Sequence, residues 1–224
     1  MSVITMPSQT TRGHGLLEPL LARLRADKAN ALIDNEHRQG AILDIGCGTF
    51  PYFLTRTEFE RKVGVDRFTD GVPDETISGI ELHRTESESE THLSFEDGNF
   101  NVVTMLAVFE HIPVEKLVAL LNEVDRVLRP GGMFVMTTPA GFTQPILDML
   151  AWLKLVSEEE IDEHEQTYSH RQINQVISET PLGCYEIERG SFEFGLNLWL
   201  KATKPMACEF AISEPRRAVQ LAAA

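Results

Sequence analysis

The chain has 224 residues, 42% of them apolar, enough for one substantial core. Its 20 basic and 34 acidic residues give a formal charge of −14, which works against a nucleic-acid substrate and against attraction to anionic lipid, since both need a basic footprint. No stretch approaches the roughly 18 uninterrupted apolar residues of a membrane-spanning helix, the amino-terminal MSVITMPSQTTRGHG lacks the layout of a secretion signal, and three cysteines without CxxC spacing suggest neither a disulfide framework nor a zinc cluster, so a cytoplasmic location is expected.

Residues 1–14 read as a flexible arm. Leu16, Leu17, Leu20, Leu21 and Leu24, continued by Ala31 and Leu32, recur with helical period and predict a first amphipathic helix over 16–33, with Pro19 tolerated in its first turn. Short apolar runs at 41–45, 62–65, 80–83, 102–106 and 133–137 then alternate with helical stretches. Between the last two, Leu117, Leu120, Leu121, Val124, Val127 and Leu128 form one face of a helix closed by Pro130-Gly131-Gly132. Such alternation predicts an α/β domain, a mostly parallel sheet with helices on both faces.

After the fifth strand the rhythm changes. An apolar helical run over 146–156 and an acidic string over 158–163 place an insertion at 141–170. Ser169-His170-Arg171-Gln172 has the form of a capping box ahead of Ile173, Val176 and Ile177. Strands over 184–188 and 196–203, fed by a hairpin at 192–199, complete a domain spanning 15–204, and 205–224 form a tail.

The run Ile42-Leu43-Asp44-Ile45-Gly46-Cys47-Gly48 reads as a buried strand entering a glycine turn, where missing side chains let a nucleotide-like ligand approach the backbone. The second strand ends in Val63-Gly64-Val65-Asp66, whose carboxylate suits a ribose diol and repels a 2′-phosphate. The turn continues Thr49-Phe50-Pro51, without the third glycine that a dinucleotide site uses around its pyrophosphate. A ligand without phosphates fits better, and a nicotinamide oxidoreductase is disfavoured.

With these residues the chain resembles the class I S-adenosylmethionine-dependent methyltransferases, above all the small bacterial enzymes of the type 11/23-like group that act on small molecules. The resemblance rests on Leu43 to Gly48, on Val63 to Asp66, on Asn99-Phe100-Asn101-Val102-Val103 leading to Val108-Phe109-Glu110-His111-Ile112, and on Val127-Leu128-Arg129-Pro130-Gly131-Gly132. It covers about residues 41–139 and is specific for fold and cofactor, not for substrate. It implies a Rossmann-like seven-stranded, mostly parallel sheet with an antiparallel last strand, an N-terminal helix, and the insertion after strand five acting as a lid. The implied cofactor is S-adenosyl-L-methionine, released as S-adenosyl-L-homocysteine.

Carried onto this sequence, the resemblance puts Asp44 and Gly46 beside the methionine part of the cofactor and Gly48 next to its ribose. Asp66 becomes the diol acceptor, Glu86 an acceptor for the adenine amino group, and Leu106 and Ala107 line the way to the substrate. Cys47 and Arg67, adjacent to these, join the cofactor-binding set. Two departures from the family pattern stand out: Phe50 in place of a third glycine, and Asn101 where an Asp commonly precedes the fourth strand, a change expected to affect packing.

Because a sulfonium methyl is already activated, the protein's task is to align a nucleophile for in-line displacement. For a hydroxyl acceptor a base is useful, and His111 and His164 are the candidates, although His111 equally suits a structural hydrogen bond before Pro113. Some quinone-forming relatives hold a divalent metal on Glu-x-x-Glu-His. Here Ala107 occupies the first position, and Glu110 with His111 are too few ligands, so no metal is expected. Phe142, Ile146, Met149, Leu150, Trp152 and Leu153 could flank an apolar pocket, and helix packing explains the same spacing. Tyr168 and Arg171, with His164, are polar candidates for contacting the substrate. The reading is a methyltransferase acting on a small-molecule acceptor, preferably at oxygen, as a monomer or homodimer. Methylation of a protein side chain or of another atom, and a non-catalytic cofactor-binding scaffold, are the alternatives.

Overall fold

The computed structural model describes residues 18–67, 79–84, 91–141 and 168–206. Seven strands, β1 (Ala41–Ile45), β2 (Arg61–Asp66), β3 (Ile80–Arg84), β4 (Phe100–Leu106), β5 (Leu128–Pro139), β6 (Glu186–Phe192) and β7 (Asn197–Thr203), form one sheet in the order β3-β2-β1-β4-β5-β7-β6. β1 to β5 pair in parallel, and β7 runs antiparallel to both β5 and β6. The order steps outward from β1 to β3 and then returns to β4 on the other side of β1. A crevice therefore opens at the carboxyl ends of β1 and β4, where open α/β sheets hold ligands.

Every residue of β1 is buried, because helices cover both faces of the sheet. On one face Leu43 and Ile45 join the cluster beneath α3 (Val114–Val127) and α4 (His170–Ser178). On the other, Ile42 packs with residues of α1 (Glu18–Leu32) and the single turn α2 (Tyr52–Thr55). α3 buries Leu117, Leu120, Leu121, Val124 and Val127 at helical spacing. α4 starts at the expected capping box: Ser169 N donates to Gln172 Oε1 at 2.9 Å, and Gln172 N donates to Ser169 Oγ at 3.4 Å.

Three expectations need correction. The buried face of α1 is not its leucine row: Ala22, Ala26 and Ala29 lie on the sheet, while Leu20 and Leu24 are exposed. Small side chains let the helix axis come close to the strands, a packing that a count of large apolar residues overlooks. Pro130-Gly131-Gly132 is not a helix closure but part of β5, because α3 ends at Val127 and Gly131 N and Lys204 N exchange bonds with Lys204 O and Gly132 O at 3.0 and 2.8 Å. β6 begins at Glu186 rather than at 184, since Pro181 opens a 3-10 turn over Pro181–Cys184. The arm at 1–14, nearly all of the 141–170 insertion, and the tail beyond 206 lie outside the described residues.

Candidate cofactor site and active site

β1 carries Asp44 to the switch between β1 and β4, in register with Gly64 of β2 and Thr104 of β4. The Thr104 hydroxyl donates to Asp44 Oδ1 at 2.6 Å. Asp44 is only 4% exposed and makes no ion pair among the described residues. Burial pushes its carboxyl from 3.8 up to about 7, with the Thr104 bond opposing and the charge of Asp66 adding to the rise.

Past Ile45 the chain turns over the end of β2: Gly46 N and Cys47 N both donate to Val65 O, at 2.7 and 3.3 Å. Gly46 and Gly48 have φ of 78° and 73°, a backbone region glycine enters without strain. Their side-chain absences serve different ends. A Cβ on Gly46 would run into Val108, whereas above Gly48 the nearest atom is Phe50 O at 3.9 Å, leaving room for a ligand against the backbone.

Asp66, at the tip of β2, accepts from Gly48 N through Oδ2 at 2.7 Å and from Arg67 N through Oδ1 at 2.6 Å. The carboxylate thus clamps the glycine loop to the end of β2. Cys47 turns its thiol into the core, 8% exposed and 3.5 Å from Gly48 O, so only its backbone faces the turn. Arg67 is exposed.

At the end of β4, Leu106 is half-buried and Ala107 has φ 55°, a strained conformation for a residue with a Cβ, fixed by Ala107 N donating to Thr137 O at 2.9 Å. A 3-10 turn, Phe109–His111, follows. His111 is half-buried and its backbone N donates to Val108 O at 3.0 Å. Glu110, 2% exposed, accepts from Thr138 Oγ1 at 3.0 Å through Oε2, and burial raises its pKa despite the opposing charge of His111.

The structure thus brings Asp44, Gly46, Cys47, Gly48, Asp66, Arg67, Leu106 and Ala107 to one crevice, with His111 just beyond. Tyr168 is 1% exposed and stacks edge-on against Phe109 at 5.0 Å, inside the core. Arg171 is exposed in the first turn of α4. Glu86 and His164 lie outside the described residues. Sequence reasoning missed Thr104, the Asp44 partner, although a lone hydroxyl in the apolar run 102–106 was a signal. It also missed Val108, which seals Gly46.

The donor set suits a ligand with a cationic group for an uncompensated buried carboxylate, a diol for Asp66, and no phosphate. The family model described as a methyltransferase domain matches residues 14–182. No curated protein matches the chain. Among solved structures, an S-adenosylmethionine-dependent methyltransferase from Mesorhizobium loti is 18% identical with TM-score 0.54, over 80% of this chain and 96% of that one. A methyltransferase of the same dependence from Archaeoglobus fulgidus is 14% identical with TM-score 0.58, over 84% and 94%. A possible exported protein of Bordetella parapertussis shares the fold with TM-score 0.59 at 15% identity, over 84% and 70%. The family match spans well over half of the chain, and with the fold and the crevice at β1 and β4 it places the protein in the methyltransferase-domain family: the chain is a class I methyltransferase that uses S-adenosylmethionine.

Proposed function

We propose that this methyltransferase acts on a small-molecule acceptor, at a hydroxyl oxygen, in the cytoplasm, as part of a biosynthetic sequence. Bound S-adenosylmethionine supplies a methyl group activated by its sulfonium. The chain's own residues bind and orient. Asp44, desolvated and without a cationic partner among the described residues, receives the ammonium of the cofactor's methionine part. Asp66 accepts the ribose hydroxyls while its clamp on Gly48 N keeps the loop in shape. Leu106 and the strained Ala107 shape the wall between cofactor and acceptor. His111, in the turn after β4, is the group that takes up the hydroxyl proton, with His164 as the second candidate. Cys47 and Arg67 contribute backbone to the loop, and Glu86 is assigned as the acceptor for the adenine amino group.

The observation that carries the cofactor part of this reading is the pair of carboxylates on adjacent strands, one buried and without an ion-pair partner among the described residues, one clamping the glycine loop. A charge of −14 supports a small-molecule acceptor over a polyanionic one. Parallel calorimetric titration with S-adenosylhomocysteine and with NAD tests the site. Binding of the former alone is the expected result, and tight NAD binding without the former would sink the reading. Once an acceptor is in hand, transfer of label to oxygen, nitrogen or carbon decides the atom.

A further inference from the structure

β6 is the last strand of the sheet and, among the described residues, pairs only with β7. Its seven residues keep an unbroken register with β7 from Glu186 to Phe192, with no proline, lysine or bulge along them. Those are among the devices by which proteins keep a sheet edge from pairing, and a strand without them offers its outward N–H and C=O groups to another chain. What β6 does carry is charge, on Glu186, Glu188 and Arg189, so a strand added there must match it.

A groove runs beside this edge. Ile187 and Arg189 pair with Ala202 and Leu200, members of the core cluster beneath α3 and α4, so both point to the α4 side of the sheet. Between them and α4 the groove encloses about 310 Å³, with buried Ile177 and half-buried Ile187 as its apolar floor, Asn174 and Ser178 one turn apart along the α4 wall, and Arg189 on the rim. Arg189 is exposed and makes no hydrogen bond or ion pair among the described residues. Burial, and then the charge of Arg189, lower the pKa of His170 in the first turn of α4, so near neutrality that imidazole is neutral and the guanidinium is left to carry the charge. In a chain with 34 acidic and 20 basic residues, an uncompensated arginine over an apolar floor selects an acid joined to something apolar.

We propose that β6 and this groove are a docking surface for an extended segment of a partner protein, which adds to the sheet as an eighth strand and sets an acidic side chain on Arg189 and an apolar one over Ile177 and Ile187. Main-chain bonds to the edge give such additions their affinity, and alternate side chains give them their selectivity. Ile187 and Arg189 are two apart on one face, so an antiparallel partner strand reads acidic-x-apolar. The middle residue faces Glu188, which is ion-paired to Lys201 at 2.9 Å, and is uncharged or basic. A second copy of this chain does not meet the requirement. Two-fold pairing matches residues of the same face, and centring it on Glu188, Arg189 or Gly190 sets Arg189 against Ile187, against itself or against Ser191, never against an acid. β7 and β5 separate β6 from the crevice at β1 and β4, so the partner docks away from the cofactor.

The test uses the full chain and three fluorescein-labelled peptides, KTTETITTK, KTTKTITTK and KTTETSTTK, in anisotropy titrations. The first has the acid and the apolar residue at the required spacing, the second replaces the acid by a base, and the third removes the apolar side chain. The first is expected to bind at least about tenfold more tightly than either of the others, in keeping with a charge-assisted hydrogen bond and with burial of one apolar side chain. Arg189→Gln, a substitution at an exposed position, should erase the preference between the first two peptides. Hydrogen exchange read by mass spectrometry should slow across residues 186–192 when the first peptide is bound. Equal binding of all three peptides, no binding of the first up to about 1 mM, a preference for the acid that survives Arg189→Gln, or protection confined to residues outside 186–192 overturns the proposal.

Discussion

Asp44→Asn isolates the electrostatics of the cofactor site. Asparagine keeps the shape and an oxygen for the Thr104 hydroxyl, and removes only the ionisable proton. In the folded protein the Asp44 pKa is raised from 3.8 to about 7, chiefly by burial. Below about pH 4 the group is protonated in both folded and unfolded states and contributes no slope. Between about 4 and about 7 the unfolded chain releases the proton and the folded one keeps it, so stability falls by ~1.36 kcal/mol for each pH step. Above about 7 both states are ionised and the full penalty, about 4 kcal/mol in order of magnitude, stands. Urea unfolding of wild type and variant at several values from about pH 4 to about pH 8 reads this directly as a difference, in which other titrating groups cancel. Wild type is expected to lose ground to Asp44→Asn steadily across that window. Calorimetry supplies a second reading. Near pH 6, S-adenosylhomocysteine, whose ammonium favours the carboxylate, should release close to one proton from wild type, while adenosine releases none. Parallel stability curves together with no ligand-linked proton would refute both the buried-carboxylate argument and its assignment to the methionine part.

Asp66→Ala removes the clamp on Gly48 N and Arg67 N and, on the proposed reading, the diol contact. S-adenosylhomocysteine affinity in a titration should fall by about 2 kcal/mol or more, roughly 30-fold, and unchanged affinity removes Asp66 from the site. His111→Gln and His164→Gln, made singly, separate base catalysis from alignment: single-turnover transfer to a hydroxyl acceptor should slow for the one that takes the proton, by about a hundredfold. If neither slows it, positioning alone accounts for the rate. Far from the site, Glu123 is held down to about 2 by Arg126, which also donates to Phe95 O and Leu93 O and so staples the 91–97 loop to α3. Its contribution is present above about 4.5 and is lost as pH falls toward 2, so Glu123→Gln should lower Tm near neutrality and the gap should close in acid.

The sheet was legible because its information is local. A parallel strand buried on both faces, such as β1 or β4, writes itself as a short apolar run, while edge strand β3 buries only Ile80 and Leu82. Where the deciding contacts are distant in sequence, reading failed. Pro130-Gly131-Gly132 resembles a helix stop until Lys204 pairs with it, and α1 resembles a leucine-faced helix until the sheet accepts its alanines instead. The same distinction divides the site. Asp44, Gly46, Gly48 and Asp66 sit at strand ends beside glycine, a pattern visible in one dimension. Thr104 is 60 residues from the Asp44 it holds.

The loop after β1 also shows why this cradle differs from a dinucleotide site by more than a missing glycine. A pyrophosphate needs a helix N-terminus, several free amides aligned by a long helix dipole. Here Pro51 precedes a helix of a single turn, Tyr52–Thr55, too short to sum a dipole, and Tyr52 N is already used by Phe50 O at 2.7 Å. The amide that would lead the approach, Gly48 N, is committed to Asp66. Two carboxylates then stand where a pyrophosphate's charge would fall. On the proposed assignment, what remains favourable here is a cation near Asp44 and neutral hydroxyls near Asp66, the charge pattern of a sulfonium amino acid joined to a nucleoside, so the residues that would reject a dinucleotide are the ones assigned to the cofactor of this family.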